Sequence, residues 1–260
     1  MKRARFLLAQ GRRLIRRDPR DIATYLLLAS SRIPKKLRSK IFPRRLAIKE
    51  KNVNPLAPLN IPESFREIVK KEEISHYGKD IWESGIVSLL GRDISVGWPT
   101  KWETDETGEW SKIASSAIQF YGPGSNEDIK LVWELSRLQW IPNIAAHAKE
   151  TGDMAIASEV LDAIGDFYST YPIGYGVAWM EGIEVSLRSI AIIEALSHIK
   201  GLVMDDPRIS EILTNLSLSA EWINENLSYK WRLNNNHLLL ELIGLTIIGI
   251  VSEWDKSSKK

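Results

Sequence analysis

Between about residue 126 and residue 252 one pattern repeats: apolar residues return at steps of three and four in five successive blocks, divided by short polar or Gly/Pro-containing breaks. That period belongs to amphipathic helices, and helices joined by short connections pack antiparallel against their neighbours. The region is therefore expected to be all-α. The first helix is predicted from Asn126 or Glu127 to Glu150, with Leu131, Leu135, Leu138, Ile141 and Ala145 on one stripe. Pro142 has no amide hydrogen for the carbonyl of Leu138, so a kink is expected there. A second helix is predicted over Asp153 to Tyr168 and a third over Gly182 to Lys200. The fourth opens at Asp206-Pro207, an N-cap acid followed by proline at the first helical position, and reaches Asn226. The fifth, Asn236 to Ser252, is apolar almost all round and is expected to lie inside the protein.

The 260 residues are enough for one large domain with a sizeable core. With no cysteine there is no disulfide framework, thiolate metal site or cysteine nucleophile. No apolar run reaches the roughly eighteen residues of a membrane span, and Phe6-Leu7-Leu8-Ala9 is too short for the core of a signal peptide. Charge is unevenly placed: residues 1–51 hold 17 of the 35 Lys and Arg and three acids, so this segment is +14 and the remainder −12. Three domains are expected: a basic helical arm over 1–51, a lead-in over 52–110 and a helical domain over 111–260. The arm fits a solvated helical pair, an anionic membrane surface or nucleic acid. The lack of interleaved aromatics in the arm, and of zinc-finger or RNP signatures elsewhere, argues against nucleic acid. The lead-in, rich in Pro and Gly, is expected to hold one short helix over Pro62 to Glu73 among irregular or extended pieces.

Polar residues that packing does not explain gather in three places. In the first helix, Lys130, Glu134 and Arg137 stand four and three residues apart, as surface salt bridges do. In the third, Glu181, Glu184 and Arg188 share one face just after an aromatic-containing loop. Arg188 there is either a bidentate clamp for a substrate carboxylate or the i+4 partner of Glu184. At the start of the fifth, Asn234-Asn235-Asn236-His237 places amides and an imidazole at a helix N-terminus. One reading makes an Asn the N-cap; the other makes this an anion-stabilising site, with Glu241 one turn on to set the imidazole tautomer. His76, His147 and His198 are isolated, no two-histidine metal spacing occurs, and there is neither a phosphate-cradling glycine loop nor a G-x-S-x-G elbow. No metal or cofactor is expected.

In order along the chain, Trp102, Asp105, Gly108-Glu109-Trp110, Asp128-Ile129-Lys130, Trp133-Glu134, Arg137, Thr151-Gly152-Asp153, Trp179, Glu184, Arg188 and Asn236-His237 resemble the N-terminal helical domain of heparinase II/III-like polysaccharide lyases. The resemblance covers roughly residues 94–250. It implies an incomplete α/α toroid of antiparallel helical hairpins, with the β-sandwich domain of the family absent from this sequence. It also implies β-elimination on uronate-containing polysaccharide. That reaction requires a neutralised carboxylate, a base for the C5 proton and an acid for the leaving oxygen. Carried over, Asn236 is the amide that holds the uronate carboxylate and His237 its neighbour, a neutraliser or base. Arg188, Trp179 and Glu184 are expected at the substrate, Trp179 packing on a sugar ring, whereas Trp133, Glu134 and Arg137 serve the scaffold. The family's tyrosine acid or base lies beyond the Asn-His pair. Here the sequence ends at Lys260 and Tyr229 precedes the pair, so a partial catalyst is expected. The alternative is a noncatalytic carbohydrate-binding or envelope polysaccharide assembly protein, cytoplasmic or peripheral at the inner membrane.

Overall fold

The computed structural model describes residues 71–100, 102, 110–118, 129–203, 205–228 and 236–251. The chain divides into two units, residues 1–44 and 45–260, and every described residue lies in the second. The basic arm expected over 1–51, and residues 62–70 of the short helix expected in the lead-in, lie outside them.

Apart from one small hairpin, the described architecture is all-α, compatible with a toroid of helical hairpins. Helix α1 (Lys71–Ser84) leads into strands β1 (Ile86–Leu89) and β2 (Arg92–Ser95), which pair antiparallel with Leu89 opposite Arg92. The turn has positive φ at both central residues, Leu90 (51°) and Gly91 (74°), the backbone twist that suits a two-residue hairpin loop. Neither this hairpin nor most of α1 is announced by the sequence pattern.

The helix expected over 126–150 is two helices. Helix α2 (Ile129–Ser136) stops where Leu138 takes a left-handed backbone (φ 56°), and α3 (Ile141–Thr151) restarts with Pro142 in its first turn. Pro142 therefore kinks nothing: its missing amide falls among donors that have no intrahelical partner anyway. Leu138 is fully buried, and this burial offsets the strain of a non-glycine residue at positive φ.

The remaining helices follow the reading closely: α4 (Met154–Thr170), α5 (Gly182–Val203), α6 (Pro207–Glu225) and α7 (Asn236–Val251). Asp153 caps α4 by accepting from the amides of Ala155 and Ile156 at 2.8 and 3.2 Å. Asp206 caps α6 by accepting from the amide of Arg208 at 2.9 Å. Helix α5 is the centre of the fold, packed against α3, α4, α6 and α7. Two close approaches fix the crossings. A Cβ on Gly78 of α1 would fall 1.9 Å from the carbonyl oxygen of Asn143 in α3, and one on Gly244 of α7 would fall 2.7 Å from Cβ of Ser186 in α5.

The all-round-buried helix is thus α5, although it carries Glu184, Ser186, Arg188 and Ser189 in buried positions. Helix α7 is the corrected case. It buries Glu241, Gly244, Ile248 and Val251 but leaves Leu239, Leu242, Ile243 and Ile250 exposed. Its composition permits burial on any side, yet among the described residues its neighbours cover one face.

Candidate functional site

The site is assembled where the first turn of α5 meets the second turn of α7. Glu241 of α7 is fully buried and accepts from the backbone amide of Ser228 at 2.7 Å and from the Ser228 hydroxyl. Its carboxylate lies over Gly182, the first residue of α5, where a Cβ would come within 2.5 Å of Oε1. Full burial of this polar side chain is tolerated there because both of its oxygens meet a hydrogen-bond donor. The effect is to tie the start of α7 to the start of α5. The sequence reading assigns Glu241 to the His237 tautomer; the hydrogen bonds described here engage both its oxygens with Ser228.

Asn236 and His237 are the first two residues of α7, Asn236 exposed and His237 half-buried. The amide side chain is thus offered to solvent at a helix N-terminus, where the backbone dipole favours anions. Arg188, Trp179 and Glu184 are placed differently.

Arg188 is fully buried. It donates from Nη1 to the carbonyl of Ser136 at 3.0 Å and from Nη2 to that of Ala178 at 3.2 Å, while Nε finds no acceptor among the described residues. Its guanidinium stacks over the rings of Phe167 and Trp179, 4.6 and 4.8 Å from their centroids. Burial pushes its pKa down to about 10, opposed by the nearby Tyr168 and Glu184. Burial likewise raises the Tyr168 phenol, against the Arg188 charge.

Trp179 is also fully buried and donates from Nε1 to the carbonyl of Tyr171 at 2.9 Å. It belongs to a chain of rings through the core formed by Trp82, Trp98, Trp140, Trp102, Phe167, Tyr168, Trp179 and Trp222. Glu184 is buried too, and its i+4 pairing with Arg188 is not the hydrogen bond that forms. Its two oxygens accept from Arg137 Nε at 2.7 Å and Nη2 at 3.0 Å, and Arg137 also binds Glu134. The Arg137 guanidinium is held protonated, chiefly by the hydrogen bond to Glu184.

The substrate contacts expected of Arg188, Trp179 and Glu184 therefore do not fit their positions. Buried groups already committed to protein partners hold α2, α4 and α5 together instead. Trp133 completes this clamp, donating from Nε1 to the carbonyl of Val177 at 2.9 Å, and the scaffold role expected for Trp133, Glu134 and Arg137 agrees with these bonds. Nothing in the sequence signals the Arg137–Glu184 pair, which joins residues 47 apart, or the Ser228–Glu241 tie. Among the described residues no group of three or more His, Asp and Glu could hold a metal ion, and no helix is long and apolar enough to cross a membrane.

No family model and no curated protein matches this chain. Among solved structures, it is similar to a heparan sulfate lyase HepC mutant from Pedobacter heparinus at 18% identity and a TM-score of 0.48. The match covers 91% of this chain and 34% of the lyase, so the chain spans about a third of that protein's length.

Proposed function

We propose that this chain recognises uronate-containing polysaccharide in the manner of a β-eliminating lyase, with Asn236 and His237 as the carboxylate-neutralising pair. The observation that carries the reading is the exposure of Asn236 at the N-terminus of a helix otherwise almost devoid of polar groups. The ordered motif residues that resemble the heparinase II/III-like lyases support it. Removing the C5 proton of a uronate places a second negative charge beside its carboxylate. An amide donor at the positive end of a helix stabilises that charge as it develops. His237, adjacent in sequence, accepts the proton or shares in neutralisation.

Arg188 and Trp179 act indirectly in this reading, by fixing α5 against α4 and the loop before it. Incubating the full chain with alginate, heparan sulfate and bacterial uronate polymers, and following absorbance of the unsaturated product, tests the catalytic form. Turnover that survives Asn236→Ala and His237→Ala together would refute the assigned roles. Binding without turnover, lost in the same double variant, would leave recognition standing and remove catalysis by this chain alone.

A further inference from the structure

Glu241 is the first fully buried residue of α7; before it Asn236 and Leu239 are exposed and His237, Leu238 and Leu240 half-buried. It holds this place with a carboxyl group rather than with apolar area. One oxygen accepts from the Ser228 amide at 2.7 Å and the other from the Ser228 hydroxyl, closing a span of chain that contains Asn236 and His237. A buried polar group costs stability unless it is bonded; what the bonds add is direction. Apolar contact is non-directional, whereas two hydrogen bonds to one residue fix both how far α7 advances and how far it is turned about its axis.

The seat of the carboxyl group is equally specific. Gly182 faces Glu241 and Ser186 faces Gly244, so α5 and α7 advance in the same direction and begin at the same end. A Cβ on Gly182 would lie 2.5, 2.8 and 3.0 Å from Oε1, Cδ and Cγ of Glu241, so this side of the carboxyl group is closely packed. His237 and Asn236 stand four and five residues before Glu241, about 6 and 7.5 Å along the helix axis. An error in the placement of Glu241 is therefore carried to both. At a reacting centre, misplacement by about 1 Å is enough to lower the rate about a hundredfold.

We propose that Glu241 is the positioning residue of the Asn236–His237 pair, acting through its hydrogen bonds to Ser228 and its seat on Gly182. The inference rests on the reading of that pair as the carboxylate-neutralising site. It asks for the two hydrogen bonds and not for a charge. A glutamine at 241 reproduces both, its carbonyl accepting from the Ser228 amide and its own amide donating to the Ser228 hydroxyl. A role in moving a proton would need the carboxyl group itself.

The test compares Glu241→Ala with Glu241→Gln in the full chain, by amide hydrogen exchange without ligand and by calorimetric titration with alginate and heparan sulfate oligosaccharides. In Glu241→Ala the amides of Leu240 and Glu241 should exchange at least about tenfold faster while those of Ile248 and Val251 change less, which marks a loosened first turn rather than general destabilisation. Affinity measured well below the unfolding midpoint should fall about tenfold or more, and Glu241→Gln should restore both. If Glu241→Ala does not fold, Ser228→Ala, which removes the hydroxyl bond alone, should move both readouts in the same direction. Parental affinity in the variant that folds, equal loss of protection along all of α7, or a glutamine variant as impaired as the alanine one would overturn the inference. The reading of the pair fails separately: a parent chain that binds neither oligosaccharide, or keeps its affinity in Asn236→Ala with His237→Ala, overturns that reading and the positioning role with it.

Discussion

Replacing Arg188 with methionine separates a packing role from a ligand role. The guanidinium is fully buried with its pKa lowered to about 10, which corresponds to a penalty of about 3 kcal/mol on the charged form. Methionine removes that penalty but leaves the carbonyls of Ser136 and Ala178 without their donors, at a cost of about 1–3 kcal/mol each. Loss of the stacking over Phe167 and Trp179 adds about 1 kcal/mol. These opposing effects leave a net destabilisation of about 2 kcal/mol, less than the roughly 3–5 kcal/mol that breaking a buried salt bridge costs. In a protein of this size that lowers Tm by about 4–8 °C. Thermal unfolding by circular dichroism and saccharide binding well below Tm are the two readouts. The account expects a lowered Tm with affinity unchanged. A variant as stable as the parent that binds an acidic polysaccharide tenfold more weakly would refute it, because Arg188 would then be reaching the ligand.

Three further outcomes are expected. Gly244→Ala places a methyl 2.7 Å from Cβ of Ser186 and should force α7 from α5, costing about 1–3 kcal/mol in chemical denaturation; an unchanged midpoint would contradict the crossing described. Asp206 is held well below the usual carboxylate range, at about 2, first by the hydrogen bond from the Arg208 side chain and then by that from its amide. Its folded pKa is depressed, so the stabilisation is present above its unfolded value and disappears as pH falls through about 2. Asp206→Asn should therefore show its deficit at neutral pH and lose it in strong acid, and a deficit of constant size across an acid titration would refute the linkage. Asp153→Ala should cost about 1 kcal/mol by removing the cap of α4, read from the denaturation midpoint.

The helices from Asp153 onward are legible because their ends are written in local chemistry: Asp153 and Asp206 as caps, Pro207 at the first turn, and apolar residues at helical spacing between. The break at Leu138 is not, since a buried leucine at positive φ has no local signature and Pro142 suits a first turn as well as a kink. The hairpin escapes for a related reason: Leu90-Gly91 occupies a turn usually marked by Asn-Gly.

Composition also does not say which side of α7 is covered, because burial depends on what the chain brings against it. The same limit governs the site. Spacing correctly places Glu184 and Arg188 on one helix, but Glu184 finds Arg137, 47 residues away, and Arg188 turns inward to backbone carbonyls. Asn236 and His237 are different, since a helix N-terminus is a local feature that sequence can locate.

The most direct test of the proposed function is calorimetric titration of the full chain with a uronate oligosaccharide and with the same oligosaccharide after reduction of its carboxyl groups. The account expects binding of the acidic form only, weakened about tenfold or more by Asn236→Ala, the loss of one hydrogen bond to a charged group. Equal affinity for the acidic and reduced sugars, or full affinity in the variant lacking both Asn236 and His237, would contradict it.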